Sequence, residues 1–139
     1  MAAKMQFDLV SPERRLASMA VDAVQIPAAD GDMTAMADHA PLITTLRPGV
    51  LRVDGAESGA ETAYFITGGF ADVAGPAITV LAEQAMPASE VTADVMDGFI
   101  SQARAAHDKL RDGDAGQPGL DAAAKLVADL EMAKSQLVG

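Results

Sequence analysis

Tyr64-Phe65-Ile66-Thr67-Gly68-Gly69-Phe70-Ala71-Asp72-Val73-Ala74-Gly75-Pro76-Ala77-Ile78-Thr79-Val80-Leu81 holds three short apolar runs separated by Gly68-Gly69 and Gly75-Pro76. Runs of four or five residues bounded by such breakers predict strands joined by tight turns. Upstream the pattern repeats. Met5, Phe7 and Leu9 alternate onto one face until Ser11-Pro12-Glu13, and Val24 and Ile26 share a face until Pro27. Ala29-Asp30-Gly31-Asp32 then makes a turn, Leu51 and Val53 follow the Pro48-Gly49 turn, and Asp54-Gly55 with Ser58-Gly59 marks a hairpin loop. Short strands at this spacing predict a sandwich or flattened barrel. Gly68-Gly69 is expected to allow a bulge or a close backbone approach.

After Pro87 the period changes from 2 to 3.6. Val91, Val95, Phe99, Ala103, Ala106 and Leu110 fall on one stripe of a helix expected from about 90 to 111, with acids near its start and bases near its end, the order the helix dipole favours. The Gly- and Asp-rich segment 112–119 breaks it. A second helix is expected over about 120–137, with Leu120, Ala123, Val127, Leu130 and Leu137 on one face and Lys134 interrupting the stripe. The division expected is thus 1–86 for the β domain and 87–139 for an antiparallel two-helix hairpin. Gly98 and the Ala-rich stripes make the hairpin marginal alone. The pattern fits a packing hairpin and a movable arm alike.

Composition narrows the function. The 139 residues carry 20 acids against 10 bases, a formal charge of -10, which repels nucleic-acid phosphate and anionic lipid alike. With no Cys there is no disulfide, thiolate nucleophile or Cys-based zinc site. The first residues lack a signal-peptide apolar run, and no window reaches the ~18 apolar residues of a membrane span. A soluble cytosolic chain is expected. Phosphate-loop, nucleophile-elbow and HExxH motifs are absent, and His39 and His107 each stand alone. Asp112-Gly113-Asp114 starts like a calcium loop, but Gly116, Gln117 and Ala123 stand where that motif needs other residues. The residues describe an acidic, two-part protein that acts through contacts, with no cofactor.

His39-Ala40-Pro41-Leu42 with Pro48-Gly49-Val50-Leu51, then the Gly68-Gly69-Phe70 strand and Val80-Leu81-Ala82-Glu83, closely resembles the epsilon subunit of bacterial F-type ATP synthases, the counterpart of the mitochondrial delta subunit. The similarity runs over essentially the whole chain. It implies a ten-stranded β-sandwich followed by a two-helix hairpin. It also implies a non-catalytic place in the central stalk, joining the gamma subunit to the c-ring so that proton translocation drives ATP synthesis.

Carried over residue by residue, the resemblance puts Asp30, Gly31 and Asp32 at the c-ring and Ser11, His39, Pro41, Leu42 and Thr44 at or near gamma. It implies a peripheral location on the cytoplasmic face of the bacterial inner membrane, with no membrane insertion. Two departures stand out. Ala37-Asp38 replaces the Pro-Gly that many relatives carry before His39. Some relatives bind ATP through an Ile/Leu-Asp-x-x-Arg-Ala motif on the second helix, and use a basic arm to reach the alpha and beta subunits and block hydrolysis. Leu120 and Asp121 match that motif, but Ala124 and Lys125 replace Arg and Ala. From 87 to 139 there are five bases against nine acids, a net -4. Weak or absent ATP binding and weak self-inhibition are expected, an ATP-sensing inhibitory subunit being the alternative.

Overall fold

The ladder of β-strands decides the architecture. A computed structural model describes residues 4–56, 62–113 and 116–138; Ser58-Gly59 and Asp114-Ala115 lie outside the described residues. Ten strands run β1 (Met5–Val10), β2 (Arg15–Val21), β3 (Ala23–Ala28), β4 (Gly31–Met36), β5 (Leu42–Leu46), β6 (Gly49–Asp54), β7 (Ala63–Ile66), β8 (Gly69–Ala74), β9 (Ala77–Ala82) and β10 (Ala85–Pro87). A 3-10 turn at Ala88–Glu90 follows, then α1 (Ala93–Asp112) and α2 (Gln117–Leu137). Two compact units result, one ending at Glu90 and one starting at Val91.

In the first unit the strand order is β10-β7-β6-β3-β5-β8-β9-β1-β2, with β4 on β3. The only β3–β5 pairing is Ala28 with Leu46. The ladder folds over at that bridge, so β5-β8-β9-β1-β2 forms one leaf of a sandwich and the remaining strands the other. β1 and β9 pair in parallel, while the other pairs are antiparallel. Period-2 alternation fills the space between the leaves. Phe7, Ile78 and Val73 are cross-strand neighbours in one buried row, and Leu9, Val80 and Ala71 in the next. The rings of Phe7 and Tyr64 meet across the interior with centroids 6.4 Å apart. Apart from Tyr64 with its hydroxyl, no polar or charged side chain is buried among the described residues, so leaf-to-leaf cohesion is mainly apolar area, worth roughly 25 cal/mol per Å².

Two strand boundaries differ from expectation. β3 continues through Pro27 to Ala28. Pro27 has no N–H to donate, and its carbonyl accepts from Arg47 N at 2.9 Å, so its backbone faces the point where the neighbour of β3 changes from β6 to β5. A missing donor costs no ladder bond there. β4 starts at Gly31 itself, because Ala29-Asp30 alone closes the hairpin on the Ala28–Gly31 pair.

In the second unit, α1 starts later than the periodicity predicts, because Thr92 caps it by accepting from Val95 N at 3.2 Å. Its buried row is Met96, Ile100 and Ala103; of the expected stripe, Val95 and Phe99 are only half-buried and Ala106 and Leu110 are exposed. α2 starts three residues earlier than expected, with Pro118 inside its first turn, where a residue without an N–H sacrifices nothing. Its stripe holds: Leu130 is buried and Leu120, Ala123, Val127 and Leu137 half-buried. The helices run antiparallel, as Lys134 meets Asp97 at 2.7 Å and Arg104 meets Glu131. The Lys134 that interrupts the stripe therefore has an acid waiting for it.

Candidate interaction surfaces

Alternation along β8 and β9 sends Ala71 and Val73, Ile78 and Val80 inward, and so leaves Phe70 and Leu81 outward. Register then makes them neighbours. Thr45 pairs with Phe70, Phe70 with Leu81, and Leu81 with Val10 across β5, β8, β9 and β1. Ile43 lies two residues from Thr45 on the same face. Phe70 is 48% exposed, Leu81 40% and Ile43 71%. An open groove of about 450 Å³ runs along one end of this row, lined by Val10, Ser11, Pro12, Phe70, Leu81 and Glu83 among others. The outer face of the other leaf presents Gln25, Thr34 and Arg52 around a smaller groove of about 280 Å³, with Met36 as its exposed large apolar residue. Phe70 and Leu81 are direct neighbours, while Ile43 sits opposite Asp72 and diagonal to Phe70; exposed apolar side chains gathered on one face of a stiff sheet mark a surface that a partner covers.

The residues assigned to gamma by resemblance do not all share this surface. Ser11 does: it lines the groove, its amide and hydroxyl both donating to the Arg14 carbonyl at 2.9 and 3.3 Å. His39 and Pro41 lie between β4 and β5, where His39 Nδ1 stands 2.7 Å from the Ala40 carbonyl and its amide donates to Met36. Leu42 and Thr44 project from the opposite side of β5: they pair with Val73 and Ala71 and so extend the core rows, only partly covered. Sequence reasoning missed Ile43, Phe70 and Leu81. The signal was present, since a strict alternation of 71/73 and 78/80 leaves two large apolar residues on the wrong face for a core.

Asp30, Gly31 and Asp32 form the tip of the β3–β4 hairpin. Gly31 has φ +140°, and nothing lies within 4 Å of where its Cβ would stand, so backbone conformation alone requires glycine. Asp32 is engaged internally, its Oδ1 accepting from Arg47 Nη2 at 2.5 Å. Asp30 is exposed and makes no hydrogen bond or ion pair among the described residues.

On α2, Leu120 is half-buried and Asp121 accepts from Gln117 Nε2 at 2.8 Å. Lys125 reaches away to Asp129 at 2.8 Å, so no cation of this turn stands beside Asp121. Three of the other four arm bases are similarly occupied. Arg104 pairs with Glu131, Lys134 with Asp97, and Arg111 with Asp108 and Asp112. A hydrogen bond and charge from Asp112, then charge from Asp108, hold the Arg111 pKa above its ordinary value. Among the described residues no three His, Cys, Asp or Glu side chains gather into a metal site.

Comparison with known proteins gives one answer. The model of the ATP synthase delta/epsilon chain β-sandwich domain matches residues 4–88. The chain is 59% identical to the ATP synthase epsilon chain of Jannaschia sp. over 137 residues, covering 99% of this chain and 98% of that one. It is 49% identical to that of Rhodobacter capsulatus over 138 residues, at 99% and 98% coverage. Among solved structures it resembles a chain from the Euglena gracilis mitochondrial ATP synthase and c-ring, with TM-score 0.71 and 25% identity over 96% of this chain and 82% of that one. A chain from the Tetrahymena thermophila central stalk and c-ring shares the fold, with TM-score 0.66 and 18% identity over 95% and 97%.

Proposed function

The chain belongs to the delta/epsilon family of ATP synthase subunits, and from that premise we propose that it joins the gamma subunit to the c-ring and couples proton translocation to ATP synthesis. As an epsilon chain it is a non-catalytic stalk subunit. The observation that carries the coupling role is the exposed Ile43–Phe70–Leu81 surface on a leaf whose other face is packed into the core. Torque transfer needs a part that does not yield, and interdigitated leaves with close-packed interiors resist deformation. Gamma takes this apolar face, and the Asp30–Asp32 tip faces the basic polar loops of the c-ring. The location that follows is peripheral, on the cytoplasmic face of the bacterial inner membrane; no helix among the described residues is long and apolar enough to cross a membrane. Mixing the chain with purified gamma should give a stoichiometric complex on size exclusion. Separate elution of the two proteins would refute the assignment of gamma.

The alternative, an ATP-sensing brake that reaches the alpha and beta subunits, has weaker support. Its arm is net negative, and four of its five bases are already paired with the arm's own acids. A surface that grips acidic partners needs unpaired cations. The missing guanidinium at Ala124 also removes a forked phosphate contact. Deleting residues 112–139 should therefore leave ATP hydrolysis by the assembled enzyme nearly unchanged, and calorimetric titration with ATP should show no binding in the micromolar range. A several-fold rise in hydrolysis, or micromolar affinity, would restore the brake.

A further inference from the structure

Arg47 lies outside the β3–β4 hairpin in sequence yet holds both of its arms. Its Nη1 donates to the Ala28 carbonyl, the last of β3, and its Nη2 to Asp32 Oδ1 near the start of β4, each at 2.5 Å. Its own amide donates to Pro27 O, and the Ala29 amide to Thr45 O, both at 2.9 Å. The Arg47 side chain is 23% exposed against 46% for Asp32, so the fork works partly out of water, where a charged donor on a carbonyl is stronger than an exposed ion pair. Only a planar guanidinium spans two acceptors in this way; an ammonium is a point charge.

We propose that Arg47 is the positioning residue of this tip: it engages Asp32 internally, fixes the Ala29-Asp30 turn, and leaves Asp30 as the acid presented to a partner bearing basic side chains. The choice of partner rests on the c-ring reading above; the clasp itself does not. The assignment also reorders the tip. Asp32, the acid inside β4, organises, and Asp30, in the turn, makes contact.

Amide hydrogen exchange on the free full chain tests the clasp. In Arg47→Gln the Ala29 and residue-47 amides should exchange about tenfold faster, on the scale of a lost charge-assisted bond, while the Phe7 and Val80 amides stay as in the wild type and report an intact sandwich. Asp32→Asn, which spares the Ala28 bond, should give a smaller rise in the same amides and covers the case in which Arg47→Gln fails to fold. Unchanged exchange in both variants would overturn the clasp, and wild-type protection in Arg47→Lys would overturn the forked geometry. Association with detergent-solubilised c-ring, measured separately at low salt, should weaken several-fold in Asp30→Asn. No weakening there would remove the contact role of Asp30 while the exchange result stands on its own. A larger loss in Asp32→Asn than in Asp30→Asn, without faster exchange, would reverse the roles of the two acids.

Discussion

Replacing Gly69 with Ala should lower the stability of the chain by about 3 kcal/mol or more, moving the urea midpoint down by about 1.5–2 M. Gly69 has φ +137°, and a Cβ there would stand 2.1 Å from the Leu81 carbonyl oxygen and 2.9 Å from Ala82 Cα. Both contacts are to backbone, so no side-chain rotamer relieves them. The φ itself costs an L residue ~1–3 kcal/mol, and the overlap forces β8 away from β9, its longest partner in this leaf, where Gly69 pairs with Ala82. A domain with only ~5–15 kcal/mol to lose is brought close to unfolding. Equilibrium urea unfolding followed by circular dichroism reads the effect. A loss under 1 kcal/mol would mean that the strands do not approach as closely as described.

Phe70→Asp, one residue along, should do the reverse: leave the stability within about 0.5 kcal/mol of wild type and weaken the complex with gamma by about a hundredfold or more. Phe70 is on the outer face and takes no part in the core, so its removal leaves no cavity. In the complex, an aromatic anchor at the centre of an apolar face carries a large share of the binding energy. The substituted carboxylate would be buried without a partner, close to Asp72 on the same face. Surface plasmon resonance with immobilised gamma gives the ratio directly. Equal affinities would move the gamma contact elsewhere.

The strands that a sequence reader recovers are those with large apolar residues at strict alternation, such as Met5, Phe7 and Leu9. β2, with Ala17, Ser18 and Ala20, and β5, with Thr44 and Thr45, carry too little contrast between faces to announce themselves. β10 is three residues long and exists only because β7 offers it a ladder. In α1 the difficulty is degeneracy. Val95-Met96 and Phe99-Ile100 put apolar residues on two adjacent rows that period alone does not rank, and the second of each pair is the buried one. The exposed apolar surface was harder still, because Ile43, Phe70 and Leu81 come from three strands and come onto one face only through register. Family resemblance pointed to Asp30, Gly31 and Asp32, which lie at a hairpin tip, but not to the Arg47–Asp32 link there, which depends on Arg47 arriving just past the end of β5.

The central claim is that gamma covers the outer face of the β5-β8-β9 leaf. Hydrogen exchange of the chain with and without gamma tests it peptide by peptide. Protection is expected over 42–46, 69–73 and 79–83, with 23–26, 32–36 and 50–54 unchanged. Protection confined to those latter strands, with the Phe70 region exchanging as in the free chain, would contradict it.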